Sequence, residues 1–172
     1  MNITRHERGW RLQAEQWLPA PPEEVWPFFS DARNLETITP DSLRFEVLTP
    51  TPIEMSEGTL IDYRLKVRGL PIRWRSRIAV WDPPRRFVDD QLKGPYRRWH
   101  HEHTFEARDG GTLCRDVVDY ELYGGPLAPL IHAVFVRPDV RKIFAYRQHV
   151  LEERFGRADA RAAQAAPNGE RG

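Results

Sequence analysis

Residues 97–123 read RRWHHEHTFEARDGGTLCRDVVDYELY, a stretch that predicts a β-hairpin. Both arms alternate apolar with polar residues, and Gly110 and Gly111 between them suit a two-residue turn. Because successive side chains of a strand point to opposite faces, one face of this hairpin collects aromatic and ionisable groups together. That face carries Trp99, His101, His103 and Phe105 on the first arm and Asp116, Val118, Tyr120 and Leu122 on the second.

The composition of this face is unusual. It is too polar for an ordinary core and too aromatic for an ordinary solvated surface. A turn at Gly110 and Gly111 places Phe105 opposite Asp116, and it leaves Asp116 diagonal to His103 at roughly 7 Å between backbone positions. We interpret the face as one wall of a pocket.

Outside the hairpin, turn signals separate further alternating runs, which predicts an antiparallel meander. The predicted strands are Trp10 to Leu18, Arg44 to Thr49, Leu60 to Arg68, Ile72 to Asp82, Arg86 to Leu92, Arg97 to Ala107 and Thr112 to Tyr123. Their alternation extends the same wall with Tyr63, Leu65, Val67, Trp74, Ser76, Ile78, Val80, Phe87, Asp89 and Gln91.

Helical segments are predicted on both sides of the meander. Pro21 and Pro22 lead into a short helix at 23–30, and a second helical turn spans 34–38. Residues 126–155 predict a long helix that Pro138 kinks or restarts. One apolar face of it is predicted from the helical spacing of Leu127, Leu130, Ile131, Val134, Ile143, Tyr146, Val150 and Leu151. Residues 156–172 lack such periodicity and are predicted to be a disordered tail.

Length and charge favour one globular domain without a charge-driven partner. The chain has 172 residues, with 26 Lys plus Arg against 25 Asp plus Glu. A net charge of +1 provides no overall field for gripping nucleic acid or an anionic membrane. The single cysteine, Cys114, excludes an internal disulfide. Because no apolar run is long enough for a signal peptide or a membrane span, a cytoplasmic location is expected.

The element order, together with several short motifs, resembles the helix-grip fold of the START-like, polyketide cyclase/dehydrase-like (SRPBCC) superfamily, in particular a bacterial branch of ligand-binding domains. The motifs are FSDARNLETITP (29–40), WDPP (81–84), FVDDQ (87–91), GPY (94–96), WHHEHTF (99–105) and GGP (124–126). The resemblance covers residues 10–155. It implies an α+β domain over residues 1–155, in which a curved antiparallel sheet of about seven strands grips the C-terminal helix.

The resemblance also implies a mostly apolar cavity for a hydrophobic or amphipathic small molecule, such as a lipid, a polyketide or an isoprenoid-like compound. Related domains occur fused to epimerase-like nucleotide-sugar proteins, so a separate protein of that kind is a possible partner. The predicted ligand-binding residues are Tyr63, Leu65, Trp74, Ser76, Ile78, Phe87, Asp89, Gln91, Trp99, His101, His103, Phe105, Asp116, Val118 and Tyr120.

Two function classes follow from these residues. The favoured one is a non-catalytic carrier or accessory protein, in which His101, His103, Asp116, Gln91 and Tyr120 hydrogen-bond one another as pocket lining. The alternative is an aromatase/cyclase or dehydratase-like enzyme. In that case His101, His103 and Asp116 are the candidate acid/base groups, because a histidine near a partly buried carboxylate titrates near neutral pH. No catalytic residue of the superfamily transfers to this chain position by position.

Other candidate sites in the sequence are weaker. His101, His103, Asp116 and Cys114 offer metal-ligand atoms, but no Cys or His spacing matches a known structural zinc pattern, so neither a metal nor a cofactor is expected. Cys114 beside Arg115 is expected to be a packing residue, because Arg115 points to the opposite face of its strand.

The outer faces predict a separation of charge. Basic side chains are Arg64, Lys66, Arg68, Arg73, Arg75 and Arg77, and acidic ones are Glu102, Glu106, Asp119 and Glu121. Such faces are usually only solvated. The functional alternative is a regulator that docks on an acidic partner or a lipid surface through the basic stripe.

Overall fold

The computed structural model describes residues 1–156. Eight strands form one antiparallel sheet in the order β1-β2-β8-β7-β6-β5-β4-β3. The strands are β1 (Asn2–His6), β2 (Gly9–Leu18), β3 (Glu46–Val47), β4 (Leu60–Val67), β5 (Leu70–Asp82), β6 (Arg86–Lys93), β7 (Arg98–Arg108) and β8 (Gly111–Glu121). The α-helices are α1 (Pro22–Phe29), α2 (Asn34–Thr37), α3 (Ala128–Ile131) and α4 (Arg137–Phe155).

The predicted α+β architecture is confirmed, but the sheet has eight strands rather than seven. The additional strand is β1, which pairs with β2 at the edge of the sheet. Only Ile3 of its five residues is buried, so no alternation of apolar and polar residues marks it as a strand. Of the predicted strands, the one at 44–49 is shorter than expected, and comprises only Glu46 and Val47.

The β7–β8 hairpin turns one residue earlier than predicted. Arg108 pairs with Gly111, so the two turn residues are Asp109 and Gly110. Their φ values of 50° and 68° are both positive, as a type I′ turn requires. Gly111 instead lies in β8, where a Cβ would come within 2.3 Å of the carbonyl oxygen of Leu18.

This turn changes the cross-strand register. The predicted pairing of Phe105 with Asp116 is wrong, because Phe105 lies opposite Cys114 and His103 lies opposite Asp116. A shift of the turn by one residue moves every pair in the ladder by two positions. The carboxylate of Asp116 is therefore directly across from His103 rather than diagonal to it.

A register shift in β5 corrects a second expectation. The pairing of β5 with β6 is irregular between Ile78 and Val80, at a β-bulge. Val80 therefore does not continue the inward face of Ile78. Trp81 points inward in its place, with its ring centroid 5.1 Å from that of Trp26 and 5.8 Å from that of Phe87.

The C-terminal helical region is interrupted where the sequence indicates. A π-helical segment, His132–Val136, separates α3 from α4, and Pro138 lies in the first turn of α4. A missing N–H is tolerated there because the first-turn amides have no partner within the helix. The π segment also changes which residues face the sheet. Leu127, Leu130 and Val134, predicted on the apolar face, are exposed, whereas Val140, Phe144, Arg147 and Leu151 are buried.

The core is divided into clusters that flank the concave side of the sheet. One cluster joins α1 to the sheet and to the end of α4 through Trp26, Phe87, Phe105 and Leu151. A second cluster packs β2 and β8 against α4, and contains Leu12, Val118, Tyr120, Val140 and Phe144. Because these two clusters hold α4 at both ends, the helix spans the sheet between them.

Two further expectations concern the limits of the domain. The predicted tail lies outside the described residues except for Gly156, and the domain bounds at residue 155 stay a prediction. Within residues 1–156, none of the helices combines the length and the apolar character that crossing a membrane needs.

The second cluster yields a test of the fold. Leu12→Ala removes a fully buried side chain and is expected to lower the free energy of unfolding by about 2–5 kcal/mol, because transfer free energy is lost and a void remains. Leu92→Ala, at a position 51% exposed, is the matched control and should change it by less than about 0.5 kcal/mol. Urea denaturation followed by circular dichroism measures both. Equal losses in the two variants would contradict the assigned core.

Candidate ligand-binding cavity

A cavity of about 460 Å³ lies between the concave face of the sheet and α4. Small-molecule sites generally have volumes of about 300–1,000 Å³ and mostly apolar walls. Strands β4 to β7 form one wall, and α4 with the α1–α2 region forms the other. Most of the lining side chains are aromatic or aliphatic, so the cavity matches this general description.

Ten of the predicted ligand-binding residues line this cavity. They are Tyr63, Leu65, Trp74, Ser76, Ile78, Phe87, Asp89, Trp99, His101 and His103. Val67 and Leu122 also lie on its wall, as the strand alternation predicts. Their role in binding stays a prediction, since the structure shows position alone.

The other five predicted residues lie elsewhere. Gln91 bonds the adjoining loop, with its Nε2 donating to the carbonyl oxygen of Tyr96 at 2.7 Å. Phe105 belongs to the α1 cluster, and Val118 and Tyr120 belong to the cluster beneath α4. Asp116 lies behind the two histidines. The alternation of side chains along a strand predicts which face of the sheet a residue lies on, but not where on that face it lies. It therefore does not distinguish residues of the cavity wall from residues of the packed clusters on the same face.

The sequence reasoning missed the residues that α4 contributes. Val140, Ile143, Phe144 and Arg147 all line the cavity. Their helical spacing was a usable signal, because Arg147 falls on the same stripe as Val140, Phe144 and Leu151. A single arginine on an apolar helix face indicates a buried partner of opposite charge.

The cavity reaches the surface beside the β4–β5 hairpin and the π-helical segment. Leu70, Tyr123 and Phe135 line it there and are exposed. Arg68 crosses the same region, with its Nη2 donating to Asp139 Oδ1 at 3.0 Å. The opening is therefore bordered by apolar side chains and one ion pair.

A group of ionisable side chains, which we call the polar cluster, lies at the inner end of the cavity. It consists of Asp89, His101, His103, Asp116 and Arg147. Strand pairing assembles most of it, because Asp89 lies opposite His101 across β6–β7 and His103 lies opposite Asp116 across β7–β8. Arg147 reaches the group from α4.

Short contacts connect every member of the polar cluster. His101 Nε2 lies 3.0 Å from Asp116 Oδ1, and His103 Nε2 lies 3.3 Å from Asp89 Oδ2. Arg147 Nη2 lies 3.2 Å from Asp116 Oδ1 and 3.3 Å from His103 Nδ1. His103 Nδ1 is also 2.7 Å from Asp116 Oδ1. The predicted partnership of the histidines with Asp116 is present, whereas Gln91 and Tyr120 bond elsewhere.

The electrostatics of the polar cluster keep both carboxyl groups ionised. Burial acts to raise the pKa of Asp116, but the charge of Arg147 and hydrogen bonds from His101 and His103 outweigh it and hold that pKa well below its usual range. Burial also opposes ionisation of Asp89, yet the hydrogen bond from His103 and the nearby positive charges lower its pKa. Both side chains are therefore acceptors at neutral pH.

His101 does not titrate near neutral pH. Burial, followed by repulsion from His103, lowers its pKa to about 4 despite the nearby carboxylates. The imidazole of His101 is therefore neutral at neutral pH, with one N–H and one lone pair. The expectation of a histidine poised near pH 7 fails at this position.

Cys114 is a buried packing residue in the α1 cluster, as expected. Burial, followed by the charge of Asp116, raises the pKa of its thiol to about 12, so no thiolate forms at neutral pH. Arg115 points away from it and pairs with Glu15 and Glu106 on the outer face.

The predicted charge separation on the outer faces is largely neutralised by local ion pairs. Arginines of the basic stripe pair with acidic neighbours as Arg64–Glu46, Arg68–Asp139, Arg75–Asp62 and Arg77–Asp90. The acidic residues pair likewise, as Glu102–Arg86, Glu106–Arg115, Asp119–Arg11 and Glu121–Arg97. This pairing removes most of the basis for docking by charge.

The lowered pKa of His101 predicts a pH-dependent stability. Below about pH 6.5 the unfolded chain gains a proton at this residue that the folded chain takes up only near pH 4. Stability should therefore fall as the pH drops through this window, by as much as roughly 3 kcal/mol.

Urea unfolding of the wild type and of His101→Gln, repeated between about pH 4 and 7, checks this dependence. The free energy of unfolding of the variant should fall less steeply as the pH is lowered. The two proteins are compared by the slope of this dependence and not by their absolute free energies of unfolding. His132, whose pKa burial likewise lowers to about 4, is retained in both proteins and cancels in the comparison. Identical slopes would remove His101 as the cause.

Comparison with known proteins places these features in a family. The sequence model described as "Polyketide cyclase / dehydrase and lipid transport" matches residues 18–144. No curated protein sequence shows a significant match. Among solved structures, TTHA0849 from Thermus thermophilus is similar with a TM-score of 0.67 and 23% identity, over 84% of this chain and 96% of that one.

Two more distant structures share the fold. The Zhui aromatase/cyclase from Streptomyces sp. R1128 has a TM-score of 0.61 and 21% identity, covering 87% of this chain and 96% of that one. The major latex-like protein 151 from Panax ginseng has a TM-score of 0.61 and 11% identity, over 84% and 96% of the two chains. At these identities the likeness shows the Bet v 1/START-like fold alone. The match of the family over residues 18–144, together with the sheet, the long helix and the cavity, shows that this chain belongs to the polyketide cyclase/dehydrase and lipid transport family of SRPBCC domains.

Proposed function

We propose that this protein binds a hydrophobic or amphipathic small molecule, such as a lipid, a polyketide or an isoprenoid-like compound, as a non-catalytic carrier or accessory protein. The observation that carries the proposal is the cavity of about 460 Å³ between the sheet and α4. Its walls are mainly aromatic and aliphatic, and burial of apolar area is the main source of affinity in such sites. Membership of the family supports the same class of ligand.

The distribution of polar groups favours an amphipathic guest. The members of the polar cluster that line the cavity are Asp89, His101, His103 and Arg147. The strands leading to this cluster supply Leu65, Trp74, Ile78 and other apolar residues. A few polar groups in an apolar cavity fix the orientation of a ligand. A hydroxyl or carbonyl at one end of the guest would lie against this group, with its apolar body toward the opening.

The opening gives a guest a route into the cavity. Leu70 and Phe135 border it and are exposed, so an apolar molecule would contact apolar side chains before it enters. Arg68 and Asp139 lie across the same region and hold the β4–β5 hairpin to α4. Separation of that exposed ion pair would cost little, since such pairs contribute about 0–1 kcal/mol.

The alternative function is an aromatase/cyclase or dehydratase-like reaction. The observation that favours it is the position of Asp89, an ionised carboxylate that lines the cavity and contacts His103 at 3.3 Å. A carboxylate paired with an imidazole is a suitable base for removing a proton next to a carbonyl group. The fold is shared with an aromatase/cyclase, which makes this chemistry a reasonable second proposal.

Three lesser expectations stay predictions. A role as a regulator that docks through the basic stripe has less support, because Arg64, Arg75 and Arg77 are in ion pairs. A separate nucleotide-sugar epimerase-like partner is supported by the resemblance alone. The location in the cytoplasm likewise follows from the sequence alone.

A substitution that fills the cavity tests the binding proposal. Leu65→Trp adds volume on the cavity wall and is expected to weaken binding of the fluorescent probe 8-anilinonaphthalene-1-sulfonate at least tenfold, because the bulkier ring occupies the space of the guest. The matched control is Lys66→Trp, at the neighbouring position on the other face of β4. It should bind like the wild type. Fluorescence titration measures both, and equal affinities in the two variants would contradict binding in this cavity.

Carrier and enzyme can be separated once a guest is identified. Mass spectrometry of small molecules extracted from gently purified protein is expected to find an apolar or amphipathic compound. If the protein is a carrier, Asp89→Asn and His103→Gln should change the affinity for that compound, and neither the wild type nor the variants should form a product. In an enzyme the wild type forms product, and the variants lose turnover by about 100-fold or more while they keep binding. Product formation by the wild type would overturn the non-catalytic proposal.

A further inference from the structure

Three ligand atoms converge where the polar cluster meets the cavity. Asp89 offers a carboxylate oxygen, and His101 and His103 each offer a ring nitrogen, all within 4.8 Å of one another. Each of these residues also lines the cavity. One side of the group is therefore packed in protein, and the other side faces open space.

The separations between these atoms fit a common ion. His103 Nε2 lies 3.3 Å from Asp89 Oδ2, and His101 Nδ1 lies 3.8 Å from the same oxygen. Zinc binds histidine nitrogen and carboxylate oxygen at about 2.0–2.2 Å in tetrahedral sites, which places neighbouring ligand atoms about 3.3–3.5 Å apart. An ion between the three side chains needs only small adjustments.

The hydrogen bond of His101 directs its lone pair toward this point. Asp116 is ionised and accepts, so His101 donates from Nε2 at 3.0 Å. The remaining lone pair of a neutral ring lies on Nδ1, which faces Asp89 Oδ2. At 3.8 Å two acceptors face one another with no hydrogen between them, an arrangement that a cation would stabilise.

His103 is able to present its nitrogen in the same way. Its Nδ1 lies 2.7 Å from the ionised Asp116 Oδ1 and can donate to it. When the hydrogen of a neutral ring is on Nδ1, the lone pair lies on Nε2, which is 3.3 Å from Asp89 Oδ2. Asp116 would then support both rings from behind, as carboxylates commonly do for metal-bound histidines, and Nε2 would be free to bind an ion.

The charge of the group also suits a cation. Asp89 and Asp116 carry two negative charges, and Arg147 supplies one positive charge. A metal ion between Asp89, His101 and His103 would lie near two carboxylates, and it would take the lone pair of His101.

We propose that Asp89, His101 and His103 form a binding site for a divalent first-row transition ion at the inner end of the cavity. Two histidines and one carboxylate with an open side are a ligand set of zinc and of non-haem iron sites. The open coordination position faces the cavity, so an oxygen atom of a guest could occupy it. The proposal is independent of the identity of the guest.

The test uses tag-free, full-length protein treated with a chelator and then titrated with Co²⁺, whose visible absorption strengthens in four- or five-coordinate sites. Zn²⁺ is then added to displace it. The wild type is expected to bind one equivalent near pH 7.5, and Asp89→Asn and His103→Gln should bind at least tenfold more weakly, because each removes one of the three ligands.

Matched controls exist on the same two strands. Asp90 and His100 point to the opposite face and contact each other at 2.7 Å between Oδ1 and Nδ1. Asp90→Asn and His100→Gln should therefore bind the ion like the wild type. Circular dichroism establishes that each variant is folded before its affinity is compared.

A second measurement needs no variant. In nitrogen NMR spectra of the histidine rings, one equivalent of Zn²⁺ should move the signals of His101 Nδ1 and His103 Nε2 and leave those of His100 in place. The proposal fails if the wild type takes up no ion under these conditions. It also fails if the ring signals of His101 and His103 do not respond, or if folded Asp89→Asn and His103→Gln bind as tightly as the wild type.

Discussion

The buried ion pair between Arg147 and Asp116 constrains the rest of the structure. Their Nη2 and Oδ1 atoms lie 3.2 Å apart, and their side chains are only 9% and 14% exposed. An unpaired charge at such a position would be strongly destabilising, so the two residues must meet. Arg147 lies on α4 and Asp116 on β8, and their contact therefore fixes the rotation of the helix and its position along the sheet.

The hollow beside this ion pair follows from the same arrangement. Aromatic clusters pack tightly at both ends of α4, around Trp26 at one end and Trp10 at the other. Between them, the polar cluster occupies the middle of the concave face and its groups bond one another. Arg147 joins α4 to this cluster, whereas the inner faces of β4 and β5 lie beside it and line the cavity.

Much of this fold could be predicted from the sequence, because alternation repeats along each strand. The features that could not be predicted depend on single residues: the turn at Asp109 and Gly110, and the bulge before Val80. A one-residue error in the turn moved Asp116 from facing His103 to a diagonal position. The sequence therefore predicted which side chains of the site share one face of the sheet. Their contacts could not be predicted, because these depend on the pairing register of β7 with β8. Arg147 was missed because only apolar residues were used to define the helix face, although it lies on the buried stripe of Val140, Phe144 and Leu151.

The register also separates the roles of the two carboxylates. Asp89 lines the cavity, whereas Asp116 does not and is held by Arg147, His101 and His103. The members of the polar cluster on the cavity wall are therefore Asp89, His101, His103 and Arg147, and Asp116 lies outside it. Asp116, a candidate acid/base group on sequence grounds, acts through the histidines: its hydrogen bonds determine which ring nitrogens carry hydrogen. The two histidines and Arg147 on the cavity wall are consequently held in place by a carboxylate that is not itself part of that wall.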